Sequence, residues 1–130
     1  MDFESPEYWD MLLRRSLSRF FVLLALSKQP LHGYALKEEV RRVCGGCCEP
    51  SDAMIYPTLN WLLEHGYVAC ATQAQGGRER KVCTLTPRGM RAFKAASQVW
   101  EAVLPHITEG VKAANALQIP EEKPEEVVAR

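Results

Sequence analysis

The chain has 130 residues, with 16 Lys+Arg against 16 Asp+Glu, 47% hydrophobic and 8% aromatic residues, which is the composition of one ordinary globular domain and excludes disordered and fibrous classes. Its longest apolar run, residues 20–26, is far below the roughly 20 residues that cross a bilayer, and the acidic first ten residues lack the basic start of a signal peptide, so a cytoplasmic protein with no membrane partner is expected. The zero net charge hides a pattern: residues 11–108 hold 13 Lys+Arg against 7 Asp+Glu, between two acidic ends. A basic body of this kind permits phosphate binding without demanding it.

The stretch MLLRRSLSRFFVLLALSKQ places Leu13, Leu17, Phe20, Phe21 and Leu24 at steps of three and four, the period of a helix with one buried face. It should stop at Gln29, because the residue before Pro30 is pushed out of helical geometry. A second helix is expected over LHGYALKEEVRRV, with Tyr34, Leu36, Val40 and Val43 as its apolar positions and Gly45-Gly46 as its stop. Ser51 then offers an N-cap, and Asp52 a first-turn acid, for a third helix that ends at Gly66. Ile55, Leu59, Leu62 and Leu63 form its apolar stripe. The opposite face shows Ala53, Pro57 and Asn60, flanked by Met54 and Tyr56, small and polar groups that leave it free to approach something. Pro57 removes a helical hydrogen bond, so a kink or a late start is expected there.

In YVACATQAQGGRERKVCTL two strand-like runs meet at Gly76-Gly77, a pair typical of a two-residue hairpin turn. That turn sets Gln75 opposite Arg78, Cys70 opposite Cys83 and Val68 opposite Leu85, and leaves Arg78, Arg80 and Lys81 at a basic tip. Thr86 before Pro87 gives an N-cap followed by proline at the first helical position. The long helix after it carries Phe93, Ala96, Trp100, Leu104, Ile107, Val111 and Ala114 in one stripe, with a bend or split expected at Pro105. The polar, proline-bearing tail reads as frayed.

Three short helices, a hairpin with a basic tip and a closing helix spell a winged helix-turn-helix domain, mainly α (α+β), in which the third helix enters the major groove and the hairpin is the wing. A helix that projects past so small a domain needs a second copy to bury its far end. The expected organisation is an N-terminal segment 1–14, helical and dimer-supporting, a DNA-binding domain 15–86, a dimerisation helix 87–117 and a flexible tail 118–130.

Three segments sharpen this reading: VLLALSKQPLHGYALKEEV, PSDAMIYPTLNWLLEHGYV and GGRERKVCTLTPRG, in this order and spacing. With its Pro-Leu-His-Gly-Tyr turn, Ile-Tyr-Pro core, Gly-Arg wing and Leu-Thr-Pro-x-Gly exit, the chain resembles the PadR family of bacterial transcriptional regulators over residues 21–90. The resemblance implies a dimeric DNA-binding repressor whose last helix, with the segment before the first, makes the dimer, and which releases DNA on binding a small molecule. It also implies that Tyr34, Tyr56, Arg78 and Arg80 meet DNA. Two departures stand out: Ala53-Met54 where the family often has Gly-Thr, and Val82-Cys83 in place of two tyrosines.

The candidate DNA-facing residues are therefore Tyr34, Ser51, Ala53, Met54, Tyr56, Asn60, Arg78, Arg80 and Lys81, though either tyrosine also reads as half-buried packing and the basic tip as a solvated hairpin. Residues 51–65 contain no Lys or Arg, so arginine readout of guanine cannot come from the third helix. Phosphate contacts would fall to the wing and to Arg14, Arg15, Arg19, Lys37, Arg41 or Arg42. Phe93, Trp100, Leu104, Ile107 and Val111 form the expected dimer interface, and Tyr8, Trp9 and Trp100 an expected effector pocket. His32, just before a helix start, reads as a local cap or packing group.

Five cysteines, an odd number in a chain without an export signal, read as reduced thiols. Cys70 and Cys83, opposed across the hairpin, fit small core side chains; a cross-strand disulfide between them is geometrically conceivable but not expected in a reducing cytoplasm. Cys44, Cys47 and Cys48 supply three ligands where a structural zinc wants four; they read either as apolar filler or as a thiol sensor for a thiophilic metal or metalloid ion or an oxidant. No phosphate loop, His-Glu-x-x-His or nucleophile setting points to an enzyme. Three functions fit: a homodimeric repressor, with no required cofactor, released from a pseudo-palindromic operator by an effector; a thiol-sensing regulator; and a winged-helix protein-interaction module without DNA binding.

Overall fold

The computed structural model describes residues 2–45 and 52–122; the Ser51 cap, Cys47, Cys48 and the tail from 123 onward lie outside the described residues. The elements in order are α1 (Pro6–Lys28), β1 (Leu31–His32), α2 (Gly33–Val43), α3 (Asp52–Glu64), β2 (Val68–Gln75), β3 (Arg78–Leu85) and α4 (Pro87–Ala116). The chain divides into two compact units, Met1–Ser97 and Gln98–Arg130. Among the described residues no helix is long and apolar enough to cross a membrane.

In the first unit, α1 starts at Pro6, five residues before the stretch that begins at Met11. Ser5 caps it, accepting a hydrogen bond from the Glu7 amide at 3.2 Å, and Pro6 supplies the preset first residue. Its buried residues are Val22, Leu23, Ala25 and Leu26, not the line from Leu13 to Leu24 that the period suggests. The reason is tertiary. Only the C-terminal part of α1 is enclosed, where α2, α3 and β3 pack against it, and there almost every side of the helix meets protein. Leu31, Leu36, Val40, Ile55, Leu59, Leu62, Val68, Cys83 and Leu85 complete the core.

β1 has no counterpart in the expected elements, because two residues carry no periodicity. Pro30 holds the chain extended, Leu31 drops into the core, and the backbone pairs with β3 as Leu31↔Cys83 and His32↔Val82. β3 is thus the central strand of an antiparallel sheet in the order β1-β3-β2. The hairpin register matches the expected one along its whole length, from Gln75↔Arg78 to Val68↔Leu85, with Gly76 (φ 57) and Gly77 (φ 80) both in the left-handed region that a two-residue turn needs.

The cysteines depart from the expected free thiols. Cys70 and Cys83 are joined by a disulfide. Counting from the turn, their pairing is one of the closely spaced, non-hydrogen-bonded positions of the ladder, where facing side chains approach most nearly. Their Cα atoms lie 4.0 Å apart, so two side chains that each suit a small core position also meet each other. Cys44, buried at the end of α2, is disulfide-bonded as well.

Neither internal proline interrupts its helix. α3 includes Pro57 within a single run from Asp52, with no late start, and α4 continues through Pro105 without splitting. Each proline removes one backbone hydrogen bond, which a helix with bonds on both sides of the gap survives. α4 opens on the expected cap: Thr86 Oγ1 accepts from the Gly89 amide at 3.1 Å and donates to the Gly66 carbonyl at 2.7 Å, tying the end of α3 to the start of α4.

In the second unit α4 runs on to Ala116, and Val99, Val103, Leu104, Ile107 and Val111 are all exposed.

Candidate nucleic-acid interface

Burial leaves one face of α3 free. Ile55, Leu59 and Leu62 occupy the core, so Ala53, Tyr56, Pro57 and Asn60 emerge on the other side of the helix and are exposed. Met54 departs from that group: it is half-buried and packs against the core. Leu36 and Val40 turn α2 inward in the same way. Tyr34, an apolar position by periodicity, is pushed out to 71% exposure, the highest of the tyrosines, while Tyr56 is 45% exposed.

The two tyrosines border a groove of about 520 Å³ that is also lined by His32, Gly33, Asn60, Glu79, Arg80 and Lys81. α3, the start of α2 and the hairpin therefore meet at one surface, although the residues come from three separated stretches of chain. Gly33 makes the junction possible. A Cβ there would lie 3.0 Å from the Tyr56 hydroxyl oxygen and 3.3 Å from its ring, closer than side chains normally approach. The His-Gly-Tyr and Ile-Tyr-Pro motifs are thus two halves of one contact.

Arg80 and Lys81 reach the groove from β3; the side chain of Arg78 lies outside the described ones. Arg80 Nη1 is 3.0 Å from His32 Nε2, across 48 residues of sequence. His32 is the N-cap residue of α2, yet its side chain makes no capping hydrogen bond, so the expected capping role is replaced by this longer-range one.

The other basic candidates are engaged nearby. Arg14 pairs with Asp10 at 2.9 Å and Arg41 with Glu38 at 3.0 Å, while Arg42 holds Glu39 from both Nε and Nη2. That hydrogen bond lowers the Glu39 pKa and raises that of Arg42. Arg19 lies 4.2 Å over the Trp61 ring, a cation–π seat that ties α1 to α3. Exposed pairs of this kind are weak and open readily to a phosphate.

Of the remaining predicted residues, Tyr8 and Trp9 join Phe3 in an aromatic cluster at the start of α1, with ring centroids 4.7 to 5.6 Å apart. Trp100, the third residue of the expected effector pocket, belongs to the second unit. Phe93 is half-buried, 5.3 Å from the Phe20 ring, whereas Leu104, Ile107 and Val111 are exposed. Among the described residues no group of three or more His, Cys, Asp or Glu is placed to hold a metal ion.

The architecture has solved relatives. A PadR family transcriptional regulator from Eggerthella lenta superposes with a TM-score of 0.68 at 22% identity, covering 81% of this chain and 90% of its own. A PadR-like regulator from Bacillus cereus gives 0.67 at 19% identity over 77% and 96%, and a transcriptional regulator from Clostridium thermocellum 0.66 at 18% over 75% and 95%. At such identities these structures share the fold. No curated protein matches the sequence. The sequence pattern of the transcriptional regulator PadR-like family, however, matches residues 22–95, the stretch that builds both the tyrosine-bordered groove and the wing, and on that match the chain belongs to the PadR-like family of DNA-binding transcriptional regulators.

Proposed function

We propose that the protein is a homodimeric repressor that holds a pseudo-palindromic operator with the α3 face and the wing, and releases it when an effector binds. The observation that carries the DNA-binding surface is the convergence of exposed Tyr34, Tyr56 and Asn60 with Arg80 and Lys81 on one groove. Tyrosine hydroxyls and the Asn60 amide serve phosphate or base edges, and the wing cations serve phosphate. With no Lys or Arg in α3, affinity rests on the wing and on helix-borne arginines drawn out of their surface pairs, so binding is dominated by backbone electrostatics. The half-sites of a dimer follow from its two-fold symmetry.

Dimerisation is supported by magnitude. Val99, Val103, Leu104, Ile107 and Val111 are each about half exposed, and fully burying such side chains stabilises by roughly 1.5–3 kcal/mol each. The stripe offers on the order of 5 kcal/mol per protomer, doubled in an isologous pair. Association costs an estimated 4–15 kcal/mol, so the paired stripes by themselves offset the lower half of that range. Phe3, Trp9, Met11, Leu12 and Leu13, also exposed, add to it if the partner covers them.

The test is fluorescence anisotropy with duplexes tiled across the promoter next to the protein's own gene, between 50 and 300 mM KCl. A salt-sensitive complex at nanomolar to micromolar protein is expected, weakened at least about tenfold by Arg80→Ala with Lys81→Ala, since each phosphate contact contributes close to one unit of the log–log salt slope. Absence of a salt-sensitive complex on every duplex contradicts the reading.

A further inference from the structure

Arg80 stands on a part of the wing that the rest of the sheet does not reach. β1 pairs with β3 only at Val82 and Cys83, so from Lys81 toward the turn the hairpin is held by its own two strands. A long, flexible arginine on such an arm has many orientations open to it. Here it has a defined contact: Nη1 lies 3.0 Å from His32 Nε2. His32 is the last residue of β1, directly across from Val82, and leads into α2.

The chemistry of this pair has one solution. A guanidinium has only N–H donors and cannot accept a hydrogen bond. His32 Nε2 must therefore present its lone pair, which places the ring proton on Nδ1 and leaves the imidazole neutral. Free histidine prefers the opposite tautomer, so the arginine selects the ring state as the ring selects the arginine's orientation. The ring makes no capping bond to its own helix and is available for this tie.

We propose that His32 is the positioning residue for the wing: its neutral ring holds Arg80 in the groove beside Tyr34, Tyr56 and Lys81, ready for the phosphate backbone. Glu79, the other charged residue lining the groove, would compete for an untethered Arg80 and neutralise it. The tie keeps the guanidinium's charge available, because a neutral imidazole accepts a hydrogen bond without cancelling it. This role rests on the DNA-binding function proposed above, and the experiment separates the two.

The full-length protein and its His32→Ala, His32→Gln, Arg80→Ala and His32→Ala/Arg80→Ala variants are titrated against a mixed-sequence 30-base-pair duplex at 50 mM KCl. In parallel, the histidine ring nitrogens of the DNA-free wild type and Arg80→Ala proteins are observed by 15N NMR at pH 8. His32→Ala is expected to weaken binding about fivefold, the weight of one solvent-exposed hydrogen bond. His32→Gln, which offers an amide oxygen near the position of Nε2, should recover most of that loss. The double variant should bind no worse than Arg80→Ala alone. His32 should show the Nδ1–H tautomer in the wild type and revert to Nε2–H in Arg80→Ala. Losses that multiply in the double variant, or an Nε2–H tautomer in the wild type, overturn the proposal while leaving DNA binding intact. A wild type that shows the Nδ1–H tautomer but binds no duplex overturns the DNA reading, and with it the purpose assigned to the tie, though the tie itself stands.

Discussion

Gly33 shows how much of this surface depends on single positions. Because a Cβ there would lie 3.0 Å from the Tyr56 hydroxyl, Gly33→Ala should displace the end of one exposed side chain rather than backbone. The expected outcome is duplex affinity weakened severalfold with a change of less than about 1 kcal/mol in stability, read by anisotropy and urea denaturation on the same preparation. Gly89 makes the opposite case. A Cβ there would stand 2.0 Å from the Tyr67 carbonyl oxygen, which is backbone, so Gly89→Ala must shift α4 against the α3–β2 connection and should cost on the order of 3 kcal/mol. A Gly89→Ala protein with an unchanged melting temperature would contradict that packing. Both glycines are visible as letters of a motif. That each is required by a close approach, one to a tyrosine and one to a carbonyl, is a fact of tertiary packing.

Among the elements, the hairpin is where local rules reached furthest. A two-residue turn at Gly76-Gly77 fixes every cross-strand pair, and the observed register agrees from Gln75↔Arg78 to Val68↔Leu85. The same register opposes Cys70 to Cys83, and their bonding replaces the expectation of two thiols, one that came from assumptions about redox compartment rather than from geometry. A bond that closes so short a loop stabilises by about 3 kcal/mol in the chain-entropy account. The Cys70→Ala/Cys83→Ala protein should therefore unfold at lower urea by an amount of that order, and dithiothreitol should have less effect on it than on the parent. On α1, by contrast, the apolar period pointed to the line Leu13–Leu24 while Val22, Leu23, Ala25 and Leu26 are the residues enclosed. Periodicity reports one face of a helix, and a helix surrounded at one end has no single face to report.

For the whole molecule, the exposed stripe on α4 makes assembly the decisive property. Leu104→Glu with Ile107→Glu places two charges in the proposed seam, at positions that are solvent-exposed in the single chain. The double variant should elute as a folded monomer in light-scattering chromatography, with unchanged helical circular dichroism and with operator affinity reduced about a hundredfold or more by the loss of simultaneous half-site binding. A variant that remains dimeric would place the interface elsewhere. The sequence by itself determined the order of the four helices and the hairpin, the hairpin register, the Thr86-Pro87 helix start and the kinship carried by its three motifs, because each depends on neighbours within a few residues or on a short fixed spacing. Only the tertiary structure decided that Tyr34 faces out while Met54 turns toward the core, that β1 exists, that Cys70 and Cys83 are bonded, and that His32 holds Arg80. Those outcomes depend on which distant segments share a surface, and no local period or propensity encodes a contact made across 48 residues of chain.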